Sequence, residues 1–89
     1  MKKIKLKDYT FEQLKDKYLY VKEEVFGKSG SYICKVESLI GNEEKYCLIV
    51  RVIHNVNSSM WSRDDEVLVF DDDDISVIEN ESEITALVI

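Results

Sequence analysis

The chain of 89 residues has no proline, only three glycines, two cysteines and one histidine. With no proline and no Gly- or Ser-rich stretch it shows no linker, repeat or second domain, so residues 1–89 are expected to fold as a single cooperative domain. No apolar run approaches the roughly 20 residues that a bilayer-spanning helix needs. The opening MKKIKLKDYTF carries the charge of a signal-peptide n-region without an apolar h-region behind it. A soluble, cytoplasmic protein with no membrane contact is the expectation.

The scarce residues also exclude chemistries. The glycines form neither GxGxxG nor GxxxxGK(S/T), and the two in Gly27-Lys28-Ser29-Gly30 suit a turn better than a phosphate. There is no CxxC, and His54 has no second soft ligand at a recognisable spacing, which argues against a metal site. Ser29, Ser31, Ser58, Ser59 and Ser62 sit in no GxSxG elbow or SxxK pair. The chain is expected to be no enzyme and to need no cofactor.

The absence with most content is local. From Asp64 to Glu83, DDEVLVFDDDDISVIENESE holds ten acids and no Lys or Arg. Residues 1–45 carry ten Lys against two Asp and six Glu, whereas residues 46–89 carry two Arg against six Asp and four Glu, so the net charge of −6 is +2 in the first part and −8 in the second. One end of the protein should present a concentrated anionic field. Adjacent carboxylates in Asp71–Asp74 mostly point apart, and the spacing of a calcium loop is missing, so a solvated acidic turn is favoured there over a Ca²⁺ or Mg²⁺ site.

The secondary structure reads mostly as strand. Thr10-Phe11-Glu12-Gln13 fits a capping box and predicts a short helix from about Phe11 to Lys17, with Phe11 and Leu14 as its buried stripe. Period-two alternation then predicts strands at Tyr18 to Phe26, Ser31 to Ile40 and Lys45 to Ile53, the last two joined as a hairpin through Gly41-Asn42-Glu43-Glu44. Glu66 to Phe70 and Ile75 to Ile78 are two further short strands joined by the four Asp, and Glu83 to Ile89 forms a last strand whose edge offers a route to a dimer. Five or six strands with one short N-terminal helix define a mainly β (α+β) fold. Either a small SH3-like barrel or a twisted antiparallel sheet packed on the helix satisfies this pattern.

Register decides the cysteines. Direct pairing of Cys34 with Cys47 would set Ile40 against Gly41 and leave no residues for a turn, so no disulfide is expected. Aligning the apolar faces sends Cys34 into the core and Cys47 to the opposite face.

An acidic surface repels nucleic acid, and the arm bearing Lys2, Lys3, Lys5 and Lys7 is too small to reverse that. The complementary partner is a basic protein surface, of the sort nucleic-acid-binding proteins expose. The expected contact residues are Asp64, Asp65, Glu66, Asp71, Asp72, Asp73, Asp74, Glu79 and Glu81, with Met60, Trp61 and Arg63 as a hydrophobic and cationic anchor in the polar loop His54–Arg63. This describes an inhibitor that mimics nucleic-acid phosphates, as small acidic proteins of phages and other mobile elements do. The alternative is an interaction or scaffold module that docks through the Trp61 loop, with the acids serving solubility only. Trp61 folded back as a lid on the core is the competing structural role for that residue.

Overall fold

Apolar–polar alternation is realised as strand along most of the chain, whose residues 1–88 are described by a computed structural model. The strands are β1 (Lys2–Ile4), β2 (Tyr18–Val25), β3 (Lys28–Gly41), β4 (Tyr46–Asn57), β5 (Glu66–Val69) and β6 (Asp74–Ile78), and the helices are α1 (Phe11–Leu14) and α2 (Glu81–Val88). All six strands lie in one antiparallel sheet in the order β1-β6-β2-β3-β4-β5. The mainly β class expected from the sequence is therefore what forms. No helix among the described residues is long and apolar enough to cross a membrane.

Sheet order and loop length together require strong curvature. In a flat sheet β5 and β6 would stand four strand spacings apart, roughly 19 Å. Only residues 70–73 connect them, and these close as a turn in which the Asp73 N–H donates to the Phe70 carbonyl at 3.1 Å. A hydrogen-bonded turn holds its ends within about 7 Å, so the sheet must coil until its ends approach each other. It does not close. Among the described residues β1 pairs only with β6 and β5 only with β4, so the open twisted sheet is the observed alternative and no ladder there completes an SH3-like barrel.

The inner face of the coil is the core. Leu19 and Val21 from β2, Tyr32, Cys34 and Val36 from β3, and Leu48, Val50 and Val52 from β4 are all buried at period two. Val67, Val69 and Ile75 extend this face, and Ile4, Leu6 and Leu14 cover it. Each such side chain contributes about 1.5–3 kcal/mol on leaving water. Helix α1 delivers Leu14 to this lid. Its capping box forms as the sequence predicts, with Thr10 Oγ1 accepting from the Gln13 N–H and Gln13 Oε1 from the Thr10 N–H. Tyr46 pins the same lid from below, its hydroxyl donating to the Tyr9 carbonyl at 2.8 Å, with the Leu6 carbonyl at 3.3 Å. Cys34 and Cys47 are free thiols, the first buried and the second half-buried, and Cys47 faces Ile40 across the hairpin.

Four expectations are corrected. Helix α1 stops at Leu14, because Asp16 turns left-handed with φ of 62° and the Asp16 N–H and Lys17 carbonyl then bond to Val36. Residues 54–57 belong to β4 rather than to a loop, since His54 and Asn55 stay paired with Ile33 and Tyr32. The β2–β3 turn is Phe26-Gly27, not Gly27 to Gly30, because Val25 pairs with Lys28 and Gly30 lies within β3 opposite Glu23. Finally, residues 81–88 are helical, while Ile89 lies outside the described residues. Asn80 accepts the Glu83 N–H, and Glu81 and Glu83 place negative charge in the first turn, where the helix dipole favours it. Residues 81–88 therefore offer no strand edge of the kind expected there.

Candidate functional site: an acidic groove beside an exposed aromatic turn

The coil of the sheet divides the acidic segment rather than presenting it as one face. Asp64 and Asp65 precede β5, which begins at Glu66, and Glu79, Glu81 and Glu83 follow β6, while Asp71–Asp74 lie at the far ends of those two strands. Four or five strand residues, about 13–16 Å, separate the groups. Cations remote in sequence also reach several of these acids. Arg51 Nη2 bonds Glu66 at 3.1 Å, its Nε bonds Glu37 at 3.2 Å and its Nη1 donates to the Asp64 carbonyl at 2.9 Å. Both carboxylates raise the Arg51 pKa, Glu37 first. Lys3 lies 3.6 Å from Asp74, and the N-terminal amine pairs with Glu83, holding that carboxyl below its ordinary pKa.

Three of the acids act on local backbone. Asp65 Oδ2 accepts the Ser62 N–H, Asp73 Oδ2 the Phe70 N–H and Glu83 Oε2 the Glu79 N–H, each at 2.8 Å. A fourth, Asp71, accepts the N–H of Lys7 from the other end of the chain at 3.3 Å. Glu79 and Glu81 are exposed beside α2.

What remains is concentrated in one groove of about 680 Å³, between the β2–β3 hairpin and the β5–β6 turn. Asp72, Asp73 and Asp74 line one side, Glu23 and Glu24 the other, and Lys22 is the one cation among its walls. The pairing of Lys22 with Asp74 across β2 and β6 is what brings these segments together. Glu23 has one carboxylate oxygen buried without a hydrogen-bond partner. Tyr32, only 1% exposed, has its pKa raised, chiefly by burial, with Cys34, Glu23 and Asp73 adding to the rise. Among the described residues no group of three or more His, Cys, Asp or Glu is arranged to hold a metal ion. The groove is therefore an under-compensated anionic surface suited to a cationic group delivered from outside.

Asp73 records this electrostatic cost. Burial raises its pKa, the Phe70 N–H opposes the rise and the charge of Asp72 adds to it. A carboxyl whose folded pKa exceeds its unfolded value penalises the fold once ionised, and that penalty disappears as pH falls through the raised value. Asp73→Asn keeps an acceptor for Phe70 and removes the charge. It is expected to be more stable than the wild type at neutral pH, with the difference closing as the pH drops below the carboxylate range, read from urea midpoints. A difference that stays constant with pH contradicts this account.

In the Trp61 loop the tryptophan takes the lid role, one of the two roles the sequence left open for it. The Asn55 side chain donates to the Ser59 carbonyl at 2.7 Å and the Trp61 carbonyl at 3.3 Å and accepts the Ser59 N–H at 3.2 Å, folding the loop inward. Trp61 is half-buried against the core with its indole N–H buried and unpartnered. Met60 is 61% exposed and Arg63 is exposed.

An aromatic missed in the sequence takes the outward position. Phe26 is 99% exposed at the tip of the β2–β3 hairpin, and it lines a second cleft with Met60 and Glu23 next to the acidic groove. Phe26 and Gly27 have φ of 52° and 75°, the signature of a type I′ turn, whose first position favours Asn, Asp or Gly. A bulky side chain in that region is a conformational outlier, and here it gains no burial in return. The chain matches no family model, no curated protein and no solved structure, which leaves the chemistry of this site as the guide to function.

Proposed function

We propose that this protein is a non-enzymatic binding protein that captures a basic protein surface, with the acidic groove as its charge contact and Phe26 as its apolar anchor. The observation that carries the reading is the convergence of Glu23 and Glu24 with Asp72, Asp73 and Asp74 around one groove lined by a single lysine. Carboxylates held this way occupy Lys and Arg side chains that otherwise bind phosphates. The partner is then a nucleic-acid-binding protein, and the biological role is that of an inhibitor or phosphate mimic of the kind mobile elements encode. The packing of Trp61 against the core weighs against the alternative module that docks through the Trp61 loop.

Glu23→Gln, Glu24→Gln and Asp72→Asn together remove three charges that hold no backbone hydrogen bond or ion pair. Pull-down from host cytosol is expected to recover a basic nucleic-acid-binding protein with wild type. Capture by the triple variant should fall at least tenfold at low salt, by a factor that shrinks as salt screens the contact. Nucleic acid belonging to the captured protein should compete for it. Capture that ignores salt, the three charges and nucleic acid alike overturns the reading.

A further inference from the structure

The two edges of the open sheet are unequally protected. β1 presents Lys2 and Lys3, the kind of edge charge that discourages pairing with another strand. β5 has no Lys, no Pro and no bulge, and its outward N–H and C=O groups find no partner among the described residues. Its exposed side carries Glu66, held by Arg51, then Leu68, 43% exposed, and the row continues just past the strand in Phe70, 49% exposed. Leu68 lies opposite Ile49 on β4, and Cys47 pairs with Ile40, itself 52% exposed, on the same outer surface. A groove of about 360 Å³ continues that surface past Phe70, between Ile40, Tyr46 and Cys47, and Lys7 and Lys45 stand at its rim.

Charge identifies what the edge accepts. Asp64 and Asp65, with Glu66 as the first strand residue, stand at one end of β5 and Asp71 beyond the other. A second copy of β5 laid antiparallel would set Asp64–Glu66 against the acids after Phe70, and laid parallel would set each acidic group on itself. Like charges directly opposite destabilise strand pairs, so the edge is guarded against its own copy while its backbone remains open to a strand of opposite charge.

We propose that the free edge of β5 is a docking site for an extended segment of a partner protein whose alternating apolar residues are flanked by lysine or arginine. The segment adds a seventh strand through main-chain hydrogen bonds. Alternate side chains pack on Leu68 and Phe70, and its terminal cations meet the acids at both ends of β5. This site lies outside the acidic groove and does not depend on it.

The test uses isotope-labelled wild-type protein and a synthetic peptide of alternating Val and Thr flanked by paired lysines. Addition of the peptide is expected to slow amide exchange at the outward-facing positions of Glu66–Val69 at least tenfold. The same peptide N-methylated on its pairing amides, or flanked by glutamates, should give no slowing. Leu68→Lys, at a site already open to solvent, should weaken the lysine peptide at least tenfold without loss of fold. Three results overturn the proposal: no protection at β5, equal binding of the N-methylated peptide, or protection that grows with protein concentration alone, which would mean that β1 of another copy occupies the edge. Because the groove acids are intact in every arm, none of these results bears on the groove reading.

Discussion

Phe26→Asn is expected to raise the stability of the protein and to lower its hold on a partner. The turn demands positive φ at this residue, and Asn adopts that conformation with a short side chain that bonds its own backbone, whereas an ordinary residue pays about 1–2 kcal/mol there. Since Phe26 is 99% exposed, removing the ring forfeits almost no burial. A gain of about 1 kcal/mol should raise Tm by roughly 4–8 °C for a chain of this size. Partner affinity should fall at least tenfold if the ring is an interface anchor. The opposite signs make the result informative, because a substitution that merely damages the fold lowers both. Calorimetry and the pull-down described above read the two effects. A drop in Tm would show that the ring supports the fold, and unchanged capture would remove it from the contact surface.

Gly41→Ala is expected to be strongly destabilising for so small a change. Gly41 closes the β3–β4 hairpin opposite Tyr46 with φ of 116°, and an added Cβ would lie 2.5 Å from the Lys45 carbonyl oxygen and 3.1 Å from Tyr46 Cα. Both obstacles are backbone, so the turn must open to admit the methyl. Opening it would break the bonds that the Glu44 and Lys45 N–H groups donate to Asn42 Oδ1 at the tip, each 2.9 Å long. Strain of this kind costs about 3 kcal/mol or more, a large share of the roughly 5–15 kcal/mol that stabilises a small protein. Gly27→Ala is the matched control: φ is 75°, yet nothing lies within 4 Å of the new methyl, and about 1 kcal/mol is expected. Urea midpoints for the pair decide the matter, and equal losses would show that crowding by Lys45 is relieved at no cost.

What was legible in the sequence was local. The capping box of Thr10 and Gln13 and the period-two runs of β2, β3 and β4 depend on neighbours a few residues away, and each forms. So do the short strands on either side of Asp71–Asp73. β1 was hidden because Ile4 alternates among lysines and its partner, Ile75, is at the other end of the chain. The C-terminal helix is hidden because the β-branched Ile84, Thr85 and Val88 favour strand, although Asn80 followed by Glu83 already spells a helix start. The turn at Phe26-Gly27 lacked a turn-forming residue at its first position, and the more turn-like Gly27-Lys28-Ser29-Gly30 drew the prediction instead. For the site, Asp72, Asp73 and Asp74 are neighbours in the sequence, and their adjacency alone puts them on one groove wall. Glu23 and Glu24 could join them only once β2 and β6 were known to pair, and no local pattern announces that pairing.

The same long reach orders the assembly of the molecule in time. β2, β3 and β4 form two successive hairpins from neighbouring sequence, and they can nucleate as soon as they are synthesised. β1 cannot. Lys2 pairs with Val77, so the first strand made is among the last placed, waiting unpaired until β6 has been translated and has docked along β2. Until then β2 exposes the edge that β6 will cover.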